Sequence, residues 1–274
     1  MNNFLKQQLN QLKIFPEPEL ELRILLNKNS LKKNEIFLSN FCISDINLSS
    51  FKKTLKRRIN REPISKIFGQ KSFWKYDFVV DKNVIDPRPE SELIIEKVIK
   101  YYPKKNQKYK ILDICTGSGC LAISLAKEYK NSKIVATDIS SKALNIAKIN
   151  AKKMKCANQI KFIKCNLINN YSSYDIIVSN PPYLSLNEYK KSSLEIKLFE
   201  PKIAFVAKNN GYEFYKKISL ILSKILKSES TAFVEIGSSQ AKNAIKIFKL
   251  NNLNLLEVSQ DLQKLDRILI LNKT

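Results

Sequence analysis

Apolar positions follow two different rhythms along this chain. Over residues 1–70 they recur at the spacing of one helix face: Leu5, Leu9 and Leu12, then Leu20, Leu22, Ile24, Leu25 and Leu26 after Pro16 and Pro18. Proline suits a first helical turn, where its missing N–H is no loss. A further helical stretch is expected from Asp45 through Phe51 and Leu55. Glycine is absent until Gly69, so turns here fall to Asn, Ser and Pro. The pattern predicts helix throughout 1–70, packed as a small bundle.

The rhythm changes at Lys71. Phe73, Trp74, Tyr76, Phe78, Val79 and Val80 are strand formers, and Asp81-Lys82-Asn83 is the expected turn of a β-hairpin spanning 71–88. Pro87 and Pro89 then interrupt the chain before a helix expected over 90–101. Strands follow at 111–115, 134–138, 160–165 and 174–179, with helical stretches between the first three. A helix over 212–226, a strand over 232–236 and a helix over 241–250 come next. The last two strands, 253–258 and 267–271, should pair as an antiparallel edge. Alternation of this kind predicts an α/β, Rossmann-like domain over 89–274, with a mostly parallel sheet and helices on both faces. The hairpin would link it to the helical domain.

Composition narrows the chemistry. The chain has 274 residues and no histidine, which removes Ser-His-Asp and Cys-His catalysis and histidine metal sites. The five cysteines, Cys42, Cys115, Cys120, Cys156 and Cys165, form no C-x-x-C pair. They read as reduced, mostly buried thiols, with no metal expected. The net charge of +23 fits an anionic partner or plain compositional drift in a chain crowded with Lys, Ile and Asn. Lysine far outnumbers arginine, the better phosphate reader, which favours drift. No run approaches the ~20 apolar residues of a membrane span. The first fifteen residues carry no secretory signal, so a cytoplasmic protein is expected.

The first α/β strand runs into DICTGSGCLAISLA, from Asp113 to Ala126. Gly117 and Gly119 sit at the strand-to-helix turn, where bare backbone N–H groups and a helix N-terminus can meet a ligand. Asp138 closes the next strand, and its carboxylate can accept both ribose hydroxyls. A third fingerprint glycine is replaced by Ala122, and no P-loop is present. Asp113 at the strand end would repel a pyrophosphate and suit a cation, which favours S-adenosylmethionine over NAD. After the third strand, Asn166 and Leu167 could border an adenine, or simply end the strand.

The fourth strand ends in Asn180-Pro181-Pro182-Tyr183. Neither proline can donate to a ladder, so the strand must stop there. The same four residues fit the methylation of a planar NH2 group. The Asn180 side-chain oxygen and the Pro181 carbonyl can accept its two hydrogens, the prolines preset the carbonyl directions, and Tyr183 can cover the planar group.

With this turn, the segments REPISKIFGQKSFW (61–74), DPRPESE (86–92), LFEPKIAF (198–205) and FVEIGSSQ (233–240) stand in order around the core. The set resembles the release-factor glutamine methyltransferases, the PrmC/HemK family of class I S-adenosylmethionine-dependent enzymes. The resemblance implies N5-methylation of the glutamine in the Gly-Gly-Gln motif of peptide chain release factors. It implies cofactor contacts at Cys115, Thr116, Gly117, Ser118, Gly119, Asp138 and Asn180, and substrate contacts at Asn180, Pro181, Pro182 and Tyr183. The helical domain would recognise the release factor. The protein would act as a monomer without needing nucleic acid. Methylation of adenine N6 in RNA or DNA is the alternative, since that substrate also presents a planar NH2. Cys115 stands where the family usually has glycine, Asn166-Leu167 where an acidic-aromatic pair is common, Asp86 where an apolar residue is usual, and Ser91 in place of a common threonine. Arg88, Glu90 and Glu92 could line the substrate entrance or form an exposed helix start, and Glu200-Pro201 could support the pocket or shape a loop, the loop being favoured.

Overall fold

The structure is a computed structural model that describes residues 3–32, 35–168 and 170–273. The helix expected throughout 1–70 includes residues 1, 2, 33 and 34, which lie outside the described residues. The chain forms two compact units, Met1–Gly69 and Gln70–Thr274.

The first unit holds α1 (Asn3–Leu12), α2 (Pro18–Lys28), α3 (Leu48–Ile59) and α4 (Ile64–Phe68). Leu5, Leu12, Leu22, Leu25, Leu26 and Phe51 are fully buried in one core, as their helical spacing requires. Pro18 takes the first turn of α2. The helix expected from Asp45 starts later, because Asn47 supplies the cap: its Oδ1 accepts the N–H of Ser50 at 3.0 Å. Asp45 instead closes a short 3-10 turn, Ile43–Asp45, by accepting the Cys42 N–H. The described part of 29–47 is therefore turns and extended chain around that 3-10 turn, a correction to continuous helix.

The second unit opens with a hairpin, β1 (Gln70–Phe73) and β2 (Tyr76–Val79). Its turn is Trp74-Lys75, not the expected 81–83, since Phe73 pairs directly with Tyr76. Trp74 adopts a left-handed φ of 55° and is held by its N–H to Glu92 Oε1 at 2.8 Å and its indole N–H to Glu128 Oε1 at 3.0 Å. The tight turn puts Phe73 and Phe78 on one side, rings edge to face at 6.0 Å, inside the core of this unit.

The helices and strands that follow are α5 (Glu92–Tyr101), β3 (Lys110–Ile114), α6 (Cys120–Glu128), β4 (Lys133–Asp138), α7 (Ser141–Lys153), β5 (Ile160–Lys164) and β6 (Tyr174–Ser179). Then come α8 (Leu186–Lys191), α9 (Leu194–Phe199), α10 (Glu213–Ile225), β7 (Leu226–Glu235), α11 (Ala241–Lys249), β8 (Leu253–Gln260) and β9 (Asp266–Lys273). The sheet order is β5-β4-β3-β6-β7-β9-β8. The first five of these strands run parallel. Strand β9 is antiparallel to both β7 and β8, so the last strand slides in between them. The sheet alternates cleanly: Ile111, Ile176, Val178 and Phe233 pack with α5 and α6 residues on one face. Leu112, Ile114, Ile177 and Val234 pack with α10 and α11 residues on the other. Each such side chain contributes ~1.5–3 kcal/mol by leaving water.

Strand order reverses between β3 and β4 on one side and β6 on the other. A crevice at the carboxyl ends of the strands therefore opens at β3, where ligands bind in sheets of this type.

Candidate active site

Strand β3 ends at Ile114, and the chain turns through left-handed conformations at Cys115 (φ 65°), Gly117 (φ 56°) and Gly119 (φ 81°) before α6. Glycine adopts such φ values freely; Cys115 does so at a cost of about 1–3 kcal/mol. The two glycines serve different ends. A Cβ on Gly119 would sit 3.1 Å from both Ala147 Cβ and Ile123 Cδ1, so this residue lets α6 approach α7. A Cβ on Gly117 would meet only Ile85 Cγ2, at 3.8 Å, leaving space over the backbone for a ligand.

Carboxylates hold this turn in shape. Asp138, at the end of β4, accepts the Gly117 N–H through Oδ2 at 2.9 Å and the Ser140 N–H through Oδ1 at 2.8 Å. Burial pushes its carboxyl up, against the pull of those backbone donors. Asp113 is fully buried beneath the turn rather than at the cavity wall, a correction to its expected place beside the ligand. Its Oδ2 accepts the Thr116 hydroxyl at 2.5 Å and the Ala122 N–H at 3.2 Å. Its Oδ1 meets no donor among the described residues, and burial raises its carboxyl to about 7. Asn150 on α7 ties the turn to the hairpin, donating to Ser118 O and Val79 O at 3.0 Å each and accepting the Val79 N–H at 2.7 Å.

A cavity above the turn is lined by Cys115, Thr116, Gly117, Ser118, Asp138, Asn166, Leu167, Asn180 and Pro182, with 83–88 and Pro201, Ile203 and Ala204 as further walls. Gly119 is not on its wall, and Asn166 stands exposed at its side. Leu167 is buried in a left-handed conformation (φ 69°), with its carbonyl accepting the Thr137 hydroxyl at 2.5 Å. A second cavity adjoins the first and is lined by Ile85, Arg88, Glu90, Asn180, Tyr183, Leu184, Phe205, Glu235 and Arg267 among others. Asn180 borders both cavities. Pro181 is buried and lines neither.

The Asn-Pro-Pro-Tyr turn leaves β6 immediately beside β3, where Ser179 registers with Ile114 and donates to its carbonyl at 2.9 Å. The Asn180 Nδ2 donates to Ser91 Oγ at 2.9 Å. Ser91 Oγ donates to Glu235 Oε2 at 2.5 Å, and the Tyr183 hydroxyl donates to Glu235 Oε1 at 3.4 Å. Downstream, Tyr183 O accepts from Gln240 Nε2 at 2.9 Å, and Gln240 Oε1 accepts the Tyr215 hydroxyl at 2.7 Å. Gly211 (φ 91°) runs so close that an added Cβ would lie 2.3 Å from Tyr183 O. The turn is thus fixed at both ends by polar side chains.

Glu200 does more than shape a loop: its buried carboxylate takes the Asp86 N–H at 2.9 Å and the Arg88 guanidinium at 2.7 Å, joining two cavity walls. Arg88 and Glu90 line the second cavity, in keeping with the entrance reading left open for them rather than a plain exposed helix start. The cysteines are all free, but Cys42 is exposed and only Cys156 is buried, so the thiols are less hidden than expected. Ser91, Glu235, Gln240 and Asn150 drew no role from sequence. Glu235 carried one signal, an acid inside the apolar strand run 232–236.

The parallel sheet that carries the glycine turn after its first strand, the acid closing the second and the Asn-Pro-Pro-Tyr turn ending the fourth has the class I methyltransferase fold. The "Methyltransferase small domain" family model matches residues 85–211. The release factor glutamine methyltransferase of Clostridium acetobutylicum is 33% identical over 247 residues, covering 88% of this chain and 86% of that protein. This chain belongs to the release factor glutamine methyltransferase family. The bifunctional methyltransferase of Rickettsia typhi is 37% identical over 273 residues, covering 92% of this chain and 53% of that protein. The chain therefore spans about half the length of such relatives. The solved ribosomal protein L11 methylase of Lactobacillus delbrueckii subsp. bulgaricus shares the fold, with a TM-score of 0.51 at 17% identity over 70% of this chain and 81% of that one.

Proposed function

We propose that this chain methylates the side-chain amide of a glutamine, the one in the Gly-Gly-Gln motif of peptide chain release factors, giving N5-methylglutamine with S-adenosylmethionine as donor. One observation carries the reading: two cavities meet at Asn180, and its Nδ2 is engaged by Ser91, which leaves Oδ1 as a fixed acceptor between them.

The first cavity fits the donor. Open space above Gly117 and the Asp138 carboxylate at the strand end, on the cavity wall, suit a ligand with ribose hydroxyls. Asp138 would take the ribose, Cys115, Thr116, Gly117 and Ser118 the rest of the polar end, and Asn166 and Leu167 the adenine. When bound, S-adenosylmethionine supplies a methyl group activated by its sulfonium. The second cavity would receive the glutamine side chain. There Asn180 Oδ1 accepts an amide hydrogen and favours a pyramidal nitrogen with its lone pair free, whereas Pro181, buried and off both cavity walls, acts only through the set of the turn. Pro181 and Pro182 hold that geometry in advance, and Tyr183 covers the planar amide.

Relatives that bear the name release factor glutamine methyltransferase support this acceptor over adenine. Among the described residues, no helix is long and apolar enough to cross a membrane. Free thiols support work in the reducing cytoplasm. The helical unit would recognise the release factor, and the protein would act as a monomer. The test is transfer of labelled methyl from S-adenosylmethionine to purified release factor, with bulk RNA and DNA as competing acceptors. Label on the release factor supports the reading; label on nucleic acid alone replaces it with adenine methylation.

A further inference from the structure

We propose that Ser91 and Glu235 are positioning residues that set which way the Asn180 side-chain amide faces. The inference rests on the reading of Asn180 as acceptor for the substrate amide. An asparagine amide has two nearly isosteric faces, one accepting and one donating. Turned the wrong way, Asn180 would present NH2 to a substrate NH2. Something must choose between them.

The choice follows from counting hydrogens. An ionised Glu235 has none, so its Oε2 accepts, and the partner at 2.5 Å must donate. That partner is Ser91, whose hydroxyl has a single hydrogen, now committed. Ser91 Oγ can then only accept from Asn180, so Nδ2 faces Ser91 at 2.9 Å and Oδ1 is left for the substrate. Among the described residues, the Ser91 side chain makes no other hydrogen bond. Ser91 stands at the start of α5, where a serine usually caps the helix, yet its side chain makes no cap bond. Ser91 and Glu235 are each 2% exposed, so water cannot readily substitute for either.

The relay also has a reversed state. A protonated Glu235 can donate to Ser91, which frees the serine hydrogen to point at Asn180 and favours the flipped amide. Burial raises the Glu235 carboxyl to about 7, opposed by the Ser91 hydrogen bond. The ionisable groups facing it are Glu90 and Arg88 ahead of α5, Tyr183 after β6, Arg267 on β9 and Cys120 on α6. Arg267 is turned to Asp261, with Nε 2.7 Å from Oδ2. Arg88 is turned to Glu200. Neither arginine neutralises Glu235 by direct contact.

The test compares Ser91→Ala, Ser91→Thr and Glu235→Gln with the unaltered protein. Melting temperature verifies folding, S-adenosylmethionine affinity is measured by calorimetry, and kcat and KM for release factor are measured from pH 5.5 to 8.5. Ser91→Ala should lower kcat about 10-fold or more, the scale of one lost buried hydrogen bond, and by a larger factor than any loss of cofactor affinity, since Ser91 also borders the first cavity. Ser91→Thr should restore it, because it keeps the hydroxyl. The unaltered protein should lose kcat as pH falls through about 7, and Glu235→Gln should lack that acid limb. Unchanged kcat in Ser91→Ala, or an acid limb that persists in Glu235→Gln, overturns the relay.

A second readout does not need an acceptor. The Asn180 side-chain amide resonances, assigned by their loss in Asn180→Ala, should titrate with Glu235 in the unaltered protein and not in Ser91→Ala. If no methyl reaches release factor but this titration is present, the glutamine reading fails and the relay stands. If the titration is absent while methyl transfer proceeds, the relay fails alone.

Discussion

At the scale of single residues, the site depends on side chains whose neighbours leave them one orientation. Asn180 is the central case: it stands at the junction of two cavities with its donor face occupied. Replacing Asn180 with alanine should lower turnover by roughly 10²–10³ while leaving S-adenosylmethionine affinity largely intact, as for loss of one preorganised polar contact. Parallel calorimetry and single-turnover kinetics check this, and equal loss in both would move Asn180 to the binding of cofactor. Much of this scale was legible in advance. Glycine, proline and terminal acid positions announce themselves, because the backbone demands them or the strand must stop. What was not legible was partnership. Ser91 read as a mild variation and Glu235 as part of a strand, since their meaning comes from an encounter 144 positions apart in the chain. Asp113 shows the opposite failure: the residue type was noticed, but its burial beneath the turn could not be inferred from sequence.

At the scale of elements, the sheet was largely visible because period-two strands and helical stretches leave distinct patterns. The order β7-β9-β8 was not, since an apolar strand does not say which neighbour it joins. The short helices α8 and α9 also went unassigned; each has six residues, too few for a face to repeat. The hairpin turn was misplaced because Asp81-Lys82-Asn83 has turn chemistry of its own. Asp81 Oδ1 accepts the Asn83 N–H at 2.8 Å in a local turn beside the first cavity. Asn150 makes the hairpin matter to the site, since one buried side chain bonds both β2 and the glycine turn. Asn150→Ala should cost about 1–3 kcal/mol of stability, from the buried backbone groups left unmatched. It should also weaken S-adenosylmethionine binding. Chemical denaturation and calorimetry read the two effects, and unchanged binding would reduce Asn150 to a packing role.

At the scale of the whole molecule, buried acids should make stability fall as pH rises toward neutrality. Asp113 and Glu235 have carboxyls raised to about 7 in the folded protein. The folded state therefore holds their protons more tightly than the unfolded chain. Their stabilising effect is fully present below about pH 4 and is lost as pH rises through about 7. Glu128 acts in the opposite window. Burial pushes it up, but hydrogen bonds from Lys105, Lys75 and Trp74 prevail and hold it at about 2, so its contribution is lost as pH falls from about 4.5 toward 2. Together these groups predict a melting temperature that declines by several degrees between pH 5 and 7.5. Saturating S-adenosylmethionine should lessen the decline, because a cation favours the ionised Asp113. A melting temperature that rises over this range, with or without ligand, would show that the buried carboxyls do not govern it.

The central claim concerns the atom that receives the methyl group, and peptide mass spectrometry addresses it directly. Release factor would be incubated with this protein and S-adenosylmethionine, digested, and compared with the same factor carrying alanine for the glutamine of its Gly-Gly-Gln motif. The account predicts a mass gain of one methylene on that glutamine, located by fragment ions, and no gain anywhere in the altered factor. A methyl group at another residue, or the same gain in the altered factor, would contradict it.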